Sequence, residues 1–222
     1  MYILGISCFY HDSAAALLED GELVAAAEEE RFSRKKHDYG FPSNAIAFCL
    51  RQAGITGQDL DYAVFYEKPM VKFERILMTT LSTYPASWRV FREAMLGWFS
   101  EKLWIKSHIL RELDIPDNKV LFVDHHVSHA ASALFCSPYK EAAIITVDGV
   151  GEWTTATIGR GTAAWNSQEQ NEIVLSREIR FPNSLGLLYS AFTAFLGFRV
   201  NNGEYKVMGM APYGQPRYVD QI

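Results

Sequence analysis

Three histidines fall within five positions in the run Asp124-His125-His126-Val127-Ser128-His129, and packing alone does not account for them. The four-residue step from His125 to His129 sets two imidazoles one turn apart on the same face of a helix. With that spacing a single helix can supply two neutral nitrogen ligands to one metal ion. His126 points to a different face and reads as a hydrogen-bonded or surface residue. Downstream, an apolar run over 142–147 ends in Asp148-Gly149-Val150-Gly151-Glu152, and an acid with two glycines at a strand end suits phosphate and metal chemistry. Together the motifs predict a metal or phosphate site, with His125, His129 and Asp148 as its candidate residues.

Two further segments carry chemistry. In Tyr10-His11-Asp12-Ser13-Ala14-Ala15, His11 offers an acid-base group and Asp12 a carboxylate, while the small residues let a ligand approach the backbone. Taken alone, the segment reads equally well as a polar turn between strands. In the stretch 201–214, Asn201 and Asn202 precede Gly203 in a turn that can present backbone N–H groups, and Lys206 adds positive charge suited to phosphate. Gly209, Pro212 and Gly214 exclude a long regular helix there. The competing reading is a loop closed by a Glu204–Lys206 salt bridge.

The elements that must position these residues follow from periodicity and turn signals. Strands are predicted over 2–7, 13–19 and 22–27, with Asp20-Gly21 as the hairpin joining the last two. Ser43, after Pro42, is the expected N-cap of a helix that ends at Ala53 and stops at Gly54. A strand over 62–66 precedes a helical, aromatic-rich region over 71–113, whose Trp88, Phe91, Trp98, Phe99 and Trp104 read as helix-packing surface or as a cover over a ligand or partner site. After a strand at 120–123 and the histidine helix, the order begins again: strands over 142–148, 154–159 and 173–181, a long exposed loop over 160–171, and a helix over 184–196.

Two β-β-β-α halves closing around a nucleotide describe an α/β protein of the actin-like ATPase and sugar-kinase (ribonuclease H-like) architecture. The expected subdomains are 1–140, with a helical insert over 70–113, and 141–222, the second incomplete. The chain therefore reads as an N-terminal fragment.

Composition narrows the classes. At 222 residues, 49% hydrophobic and 21% charged, the chain has the make-up of a soluble globular protein with a sizeable core. Its net charge of -5 argues against a nucleic-acid partner, because no basic surplus exists to neutralise a phosphate backbone. The basic run over 31–36 is offset by Glu28, Glu29 and Glu30 and reads as a solvated loop or a local anion contact. Three widely spaced cysteines suggest neither a disulfide framework nor a zinc finger. No signal peptide or long apolar span is evident, so a cytoplasmic protein with no membrane partner is expected.

The combination of His11-Asp12-Ser13-Ala14-Ala15, Asp124-His125-His126 with His129, Asp148-Gly149-Val150-Gly151-Glu152, and Gly203-Glu204-Tyr205-Lys206-Val207-Met208-Gly209 with Ala211-Pro212-Tyr213-Gly214 resembles the O-carbamoyltransferases of nodulation-factor and antibiotic biosynthesis. The resemblance spans the whole chain. This half of the family is also similar to the tRNA threonylcarbamoyl transferases, which share the His-x-x-x-His pair. The resemblance implies a two-site enzyme, in which a C-terminal domain makes carbamoyl-adenylate from carbamoyl phosphate and ATP. The N-terminal domain then transfers the carbamoyl group to a hydroxyl of a small-molecule acceptor.

The same resemblance implies that His125, His129 and Asp148 hold a metal, iron or another divalent ion, and that His11, with Asp12, lies near the carbamoyl group. Gly149, Gly151, Glu152, Asn202, Gly203, Glu204 and Lys206 are the expected cofactor-binding residues. It further implies that the C-terminal domain and the family's remaining metal carboxylate lie outside these 222 residues, so that the chain alone binds without completing turnover. Competing readings are a related domain of the hydrogenase-maturation carbamoyl-transfer proteins and a non-catalytic nucleotide-binding module.

Overall fold

The computed structural model describes residues 1–100, 102–164 and 170–221. The chain forms two compact units, Met1–Ser128 and His129–Ile222, and the division falls inside a helix.

In the first unit, β1 (Tyr2–Ser7) pairs antiparallel with β2 (Ala14–Glu19), which pairs antiparallel with β3 (Glu22–Glu28). On its other side β1 pairs parallel with β4 (Tyr62–Phe65), and β4 pairs parallel with β5 (Val120–Phe122). The resulting order β3-β2-β1-β4-β5, with β2 alone reversed, is the ribonuclease H-like sheet. Alternation explains the core: Leu4 and Ile6 of β1 and Ala15 and Leu17 of β2 point to one face, where they pack with Ile46 and Cys49 of α2 (Ser43–Ala53). Ile105, Ile109 and Leu113 of α5 (Ile105–Leu113) join the same cluster. At the hairpin, Asp20 (φ 51°) and Gly21 (φ 92°) are both left-handed, as a two-residue turn between twisted strands requires.

Gly54 ends α2 in the left-handed conformation, φ 69°, as expected. The start of α2 differs from expectation. Ser43 is its first residue and makes no capping bond. The N-terminus is capped instead from outside the helix by Glu29, whose carboxylate accepts from the Asn44 and Ala45 backbone N–H groups and from Asn44 Nδ2. A buried acid at a helix N-terminus satisfies two orphan donors and meets the positive end of the dipole, so the local serine is not needed.

Glu29 directly precedes the short α1 (Glu30–Ser33), which occupies part of the charged stretch read as loop. The helical region resolves into α3 (Pro69–Ser82), α4 (Trp88–Ser100) and α5. The histidine helix, α6 (His125–Leu134), follows β5 and crosses the division between units.

The second unit carries an antiparallel sheet, β6 (Glu141–Val147), β7 (Thr154–Thr162) and β8 (Glu172–Arg180), then α7 (Leu185–Phe195) and α8 (Glu204–Met210). The β-β-β-α order thus recurs. β7 runs further than predicted, because Arg160, Gly161 and Thr162 pair with Val174, Ile173 and Glu172. Gly159 and Gly161 permit close approach within the sheet, since a Cβ on Gly159 would lie 2.2 Å from the Val174 carbonyl oxygen. Of the loop expected over 160–171, residues 165–169 lie outside the described residues.

Candidate functional site

In the first unit the chemistry-bearing segments all leave the carboxyl ends of the three parallel strands. Cys8 to Asp12 follow β1, Tyr66 to Lys68 follow β4, and Val123 to His125 follow β5. Open α/β sheets bind ligands at that edge, because successive loops converge there.

The start of α6 is fastened to the β4 loop by three contacts. Val123 N–H donates to the Phe65 carbonyl (3.1 Å), the Ser128 hydroxyl donates to the Tyr66 carbonyl (2.9 Å), and Lys68 Nζ pairs with Asp124 Oδ2 (2.8 Å). These bonds fix where the first histidine sits. His125 is buried against the Tyr66 ring (centroids 5.6 Å) and the His126 ring (5.7 Å, 77°). His126 is itself buried, so of the two readings from the sequence the surface one does not hold.

One turn along the same helix, exposed His129 offers a ring nitrogen within 4.8 Å of one from His125. Within the second unit, Asp148 offers a carboxylate oxygen within 4.8 Å of His129's ring nitrogen. A His-x-x-x-His pair on one helix, and an imidazole with a carboxylate beside it, are each donor sets that suit a first-row divalent cation.

The Asp148 turn is held by the N-terminus of α7. The Ser184 hydroxyl accepts from Leu187 N–H (3.0 Å), capping the helix, and donates to the Gly149 carbonyl at 2.6 Å. Gly186 packs directly on the turn, since a Cβ there would stand 2.5 Å from the Asp148 carbonyl oxygen. Gly149 N–H donates to Asp148's own Oδ1 (2.7 Å), so this amide orients the carboxylate. Gly151 and Glu152 are both buried behind the turn.

A family model described as Carbamoyltransferase N-terminus matches residues 2–222. The chain belongs to this family. Uncharacterized protein sll1178 of Synechocystis sp. is 54% identical over 100% of this chain and 36% of its own length. Nodulation protein NolNO of Sinorhizobium fredii is 32% identical over 94% of this chain and 28% of its own length. The chain thus spans about a third of the length of these curated relatives. Among solved structures, YeaZ from Pseudomonas aeruginosa matches at 14% identity and TM-score 0.41, over 82% of this chain and 67% of that one.

In this carbamoyltransferase N-terminal domain, His11 is exposed after β1, its ring edge-on to Tyr10 at 4.1 Å. Asp12 Oδ1 lies 3.1 Å from His37 Nδ1. The Asn201–Gly203 turn does not present all its amides outward: the Glu204 carboxylate accepts from the Asn201 and Gly203 N–H groups and from the Ser190 hydroxyl. Gly203 immediately precedes α8 as its N-cap and sits too close to Arg199 for a side chain, with 2.5 Å from a Cβ to that carbonyl oxygen. Asn202 and Lys206 are exposed, Lys206 Nζ lying 5.9 Å from the Tyr205 ring centroid.

Sequence reasoning missed Glu67 and Lys72, a buried ion pair beside His125. It also missed His37, the partner of Asp12. The available signals were an acid immediately after a parallel strand and a lysine in the first turns of the following helix.

Proposed function

We propose that this domain binds carbamoyl-adenylate, made from carbamoyl phosphate and ATP by the remainder of a longer protein, and transfers the carbamoyl group to a hydroxyl of a small-molecule acceptor. The acceptor oxygen attacks the carbamoyl carbon, the bond from that carbon to the phosphate oxygen breaks, and AMP leaves. His11 accepts the acceptor's proton at a ring nitrogen, a role suited to an exposed imidazole in a small-residue turn. Asp12, through its contact with His37, holds that turn. Gly149, Gly151 and Glu152 shape the backbone at the nucleotide, Asn202 and Lys206 face its phosphate, and Gly203 forms the tight turn that carries them. Glu204 orders their loop.

The observation carrying this reading is the His125–His129 pair on one helix with the Asp148 carboxylate beside His129, in a chain matched end to end by the carbamoyltransferase family. That donor set fits iron or another divalent metal. Such a metal would supply Lewis-acid stabilisation of charge on the leaving phosphate. The chain's own part is to offer two imidazole nitrogens from one helix and one carboxylate oxygen.

The test measures metal content and carbamoyl transfer in the full-length protein. His125→Ala and His129→Ala should each remove stoichiometric metal and reduce transfer to background. Unchanged metal content in both variants would refute the ligand assignment.

A further inference from the structure

Glu67 and Lys72 are both buried, 6% exposed each, and their charged groups lie 2.7 Å apart. Removing two ions from water is costly, and a buried pair is often no more stable than apolar residues of the same volume. The geometry around the pair suggests what it serves. Glu67 Oε2, the oxygen held by Lys72 Nζ, also lies 3.8 Å from His125 Nδ1. That is a charge contact rather than a hydrogen bond. The Tyr66 ring packs on the His125 imidazole from the neighbouring position, and burial beside the Glu67 charge pushes the Tyr66 hydroxyl's pKa up, so it stays neutral. On its other side, Lys72 Nζ sits 4.7 Å from the Tyr10 ring centroid, and Tyr10 stacks edge-on against His11.

We propose that the Glu67–Lys72 pair is the positioning device for His125. The lysine fixes the glutamate, and the glutamate favours a proton on Nδ1 and directs Nε2 outward as the ligand nitrogen. Histidine ligands commonly hold a carboxylate on the ring nitrogen away from the metal, which sets tautomer and orientation and raises ligand basicity. Here that carboxylate follows β4, the strand beside the one that delivers His125, so the sheet fixes their separation. Through Tyr10, the lysine also ties the His11 turn to the same buried charge. The inference rests on reading His125 as a metal ligand.

The experiment compares the full chain with two variants. Glu67→Leu/Lys72→Met removes both charges at similar volume, which avoids stranding one ion in the core. Glu67→Gln keeps an acceptor oxygen. Two quantities are read: Co2+ affinity by titration, and the His125 tautomer in the metal-free protein by long-range 1H–15N correlation, assigned by comparison with His125→Ala.

The expected result is about a 10- to 100-fold loss of Co2+ affinity in the double variant with stoichiometry retained. Glu67→Gln should lose less, and the double variant should shift the His125 ring away from the Nδ1–H form. Unchanged affinity and tautomer in folded variants would overturn the positioning role even if His125→Ala abolishes binding. If the parent chain bound no Co2+, the metal reading would fall by itself, and the tautomer comparison would still decide whether Glu67 sets the ring.

Discussion

The Glu204 carboxylate accepts hydrogen bonds from the Asn201 and Gly203 N–H groups and the Ser190 hydroxyl, and the Asn201 bond is the largest cause holding its pKa below the ordinary 4.5. A carboxyl with a depressed folded-state pKa stabilises the fold above its unfolded value and loses that contribution as pH falls through the folded one. The Asn201–Gly203 turn should therefore loosen on acidification below about pH 4.5. Amide hydrogen exchange at Asn201 and Gly203, after correction for intrinsic rates, should show protection falling in that window. In Glu204→Gln the protection should be lower at neutral pH and nearly flat with acidification. A pH profile unchanged by the substitution would assign the ordering of this turn to other contacts. At this scale Glu204 orders its own loop, which leaves Asn202 and Lys206 as the groups there that can face a ligand.

Between elements, the decisive junction in the second unit is the packing of α7 on the Asp148–Gly149 turn. Gly186 belongs to the first turn of α7, where alanine by itself would favour the helix by roughly 0.5–1 kcal/mol. Against this, a Cβ would stand 2.5 Å from Asp148 O and 2.6 Å from the Gly149 nitrogen, both backbone atoms that cannot swing away. Overpacking of that kind costs about 1–3 kcal/mol, so the clash should win. Gly186→Ala is expected to lower denaturation stability by a net amount on the order of 1 kcal/mol and to weaken divalent-metal binding by about tenfold, as the carboxylate moves with its turn. Isothermal titration with Co2+ beside urea unfolding checks both effects. Unimpaired metal affinity would show that this junction does not hold Asp148 in place.

For the molecule as a whole, the first unit delivers the His11 turn, the Glu67 loop and the start of α6 from neighbouring carboxyl ends of β1, β4 and β5. In the proposed scheme adenylate formation belongs to the remainder of the longer protein, while transfer belongs to this domain. His11→Asn should therefore reduce carbamoyl transfer by about 100- to 10,000-fold, the usual cost of losing a general base. Carbamoyl-phosphate-dependent exchange of pyrophosphate into ATP should survive in the same variant. Equal loss of both activities would make His11 a structural residue. Among the described residues no helix is long and apolar enough to cross a membrane.

What the amino-acid sequence determined by itself was local. Alternation placed β1, β2 and β3, positive-φ turn chemistry placed the Asp20-Gly21 hairpin and the Gly54 stop, and a spacing of four put His125 and His129 on one helix face. Each depends on residues a few positions apart, so its physics is written along the chain. Tertiary structure decided the partners. Glu29 caps α2 in place of Ser43, His37 meets Asp12, Lys72 and Glu67 share a buried charge beside His125, and Gly159 and Gly161 serve close packing in a strand that runs on to Thr162. These contacts depend on strand register and on which loops leave the same edge of a sheet, and a single sequence carries no local signal for either.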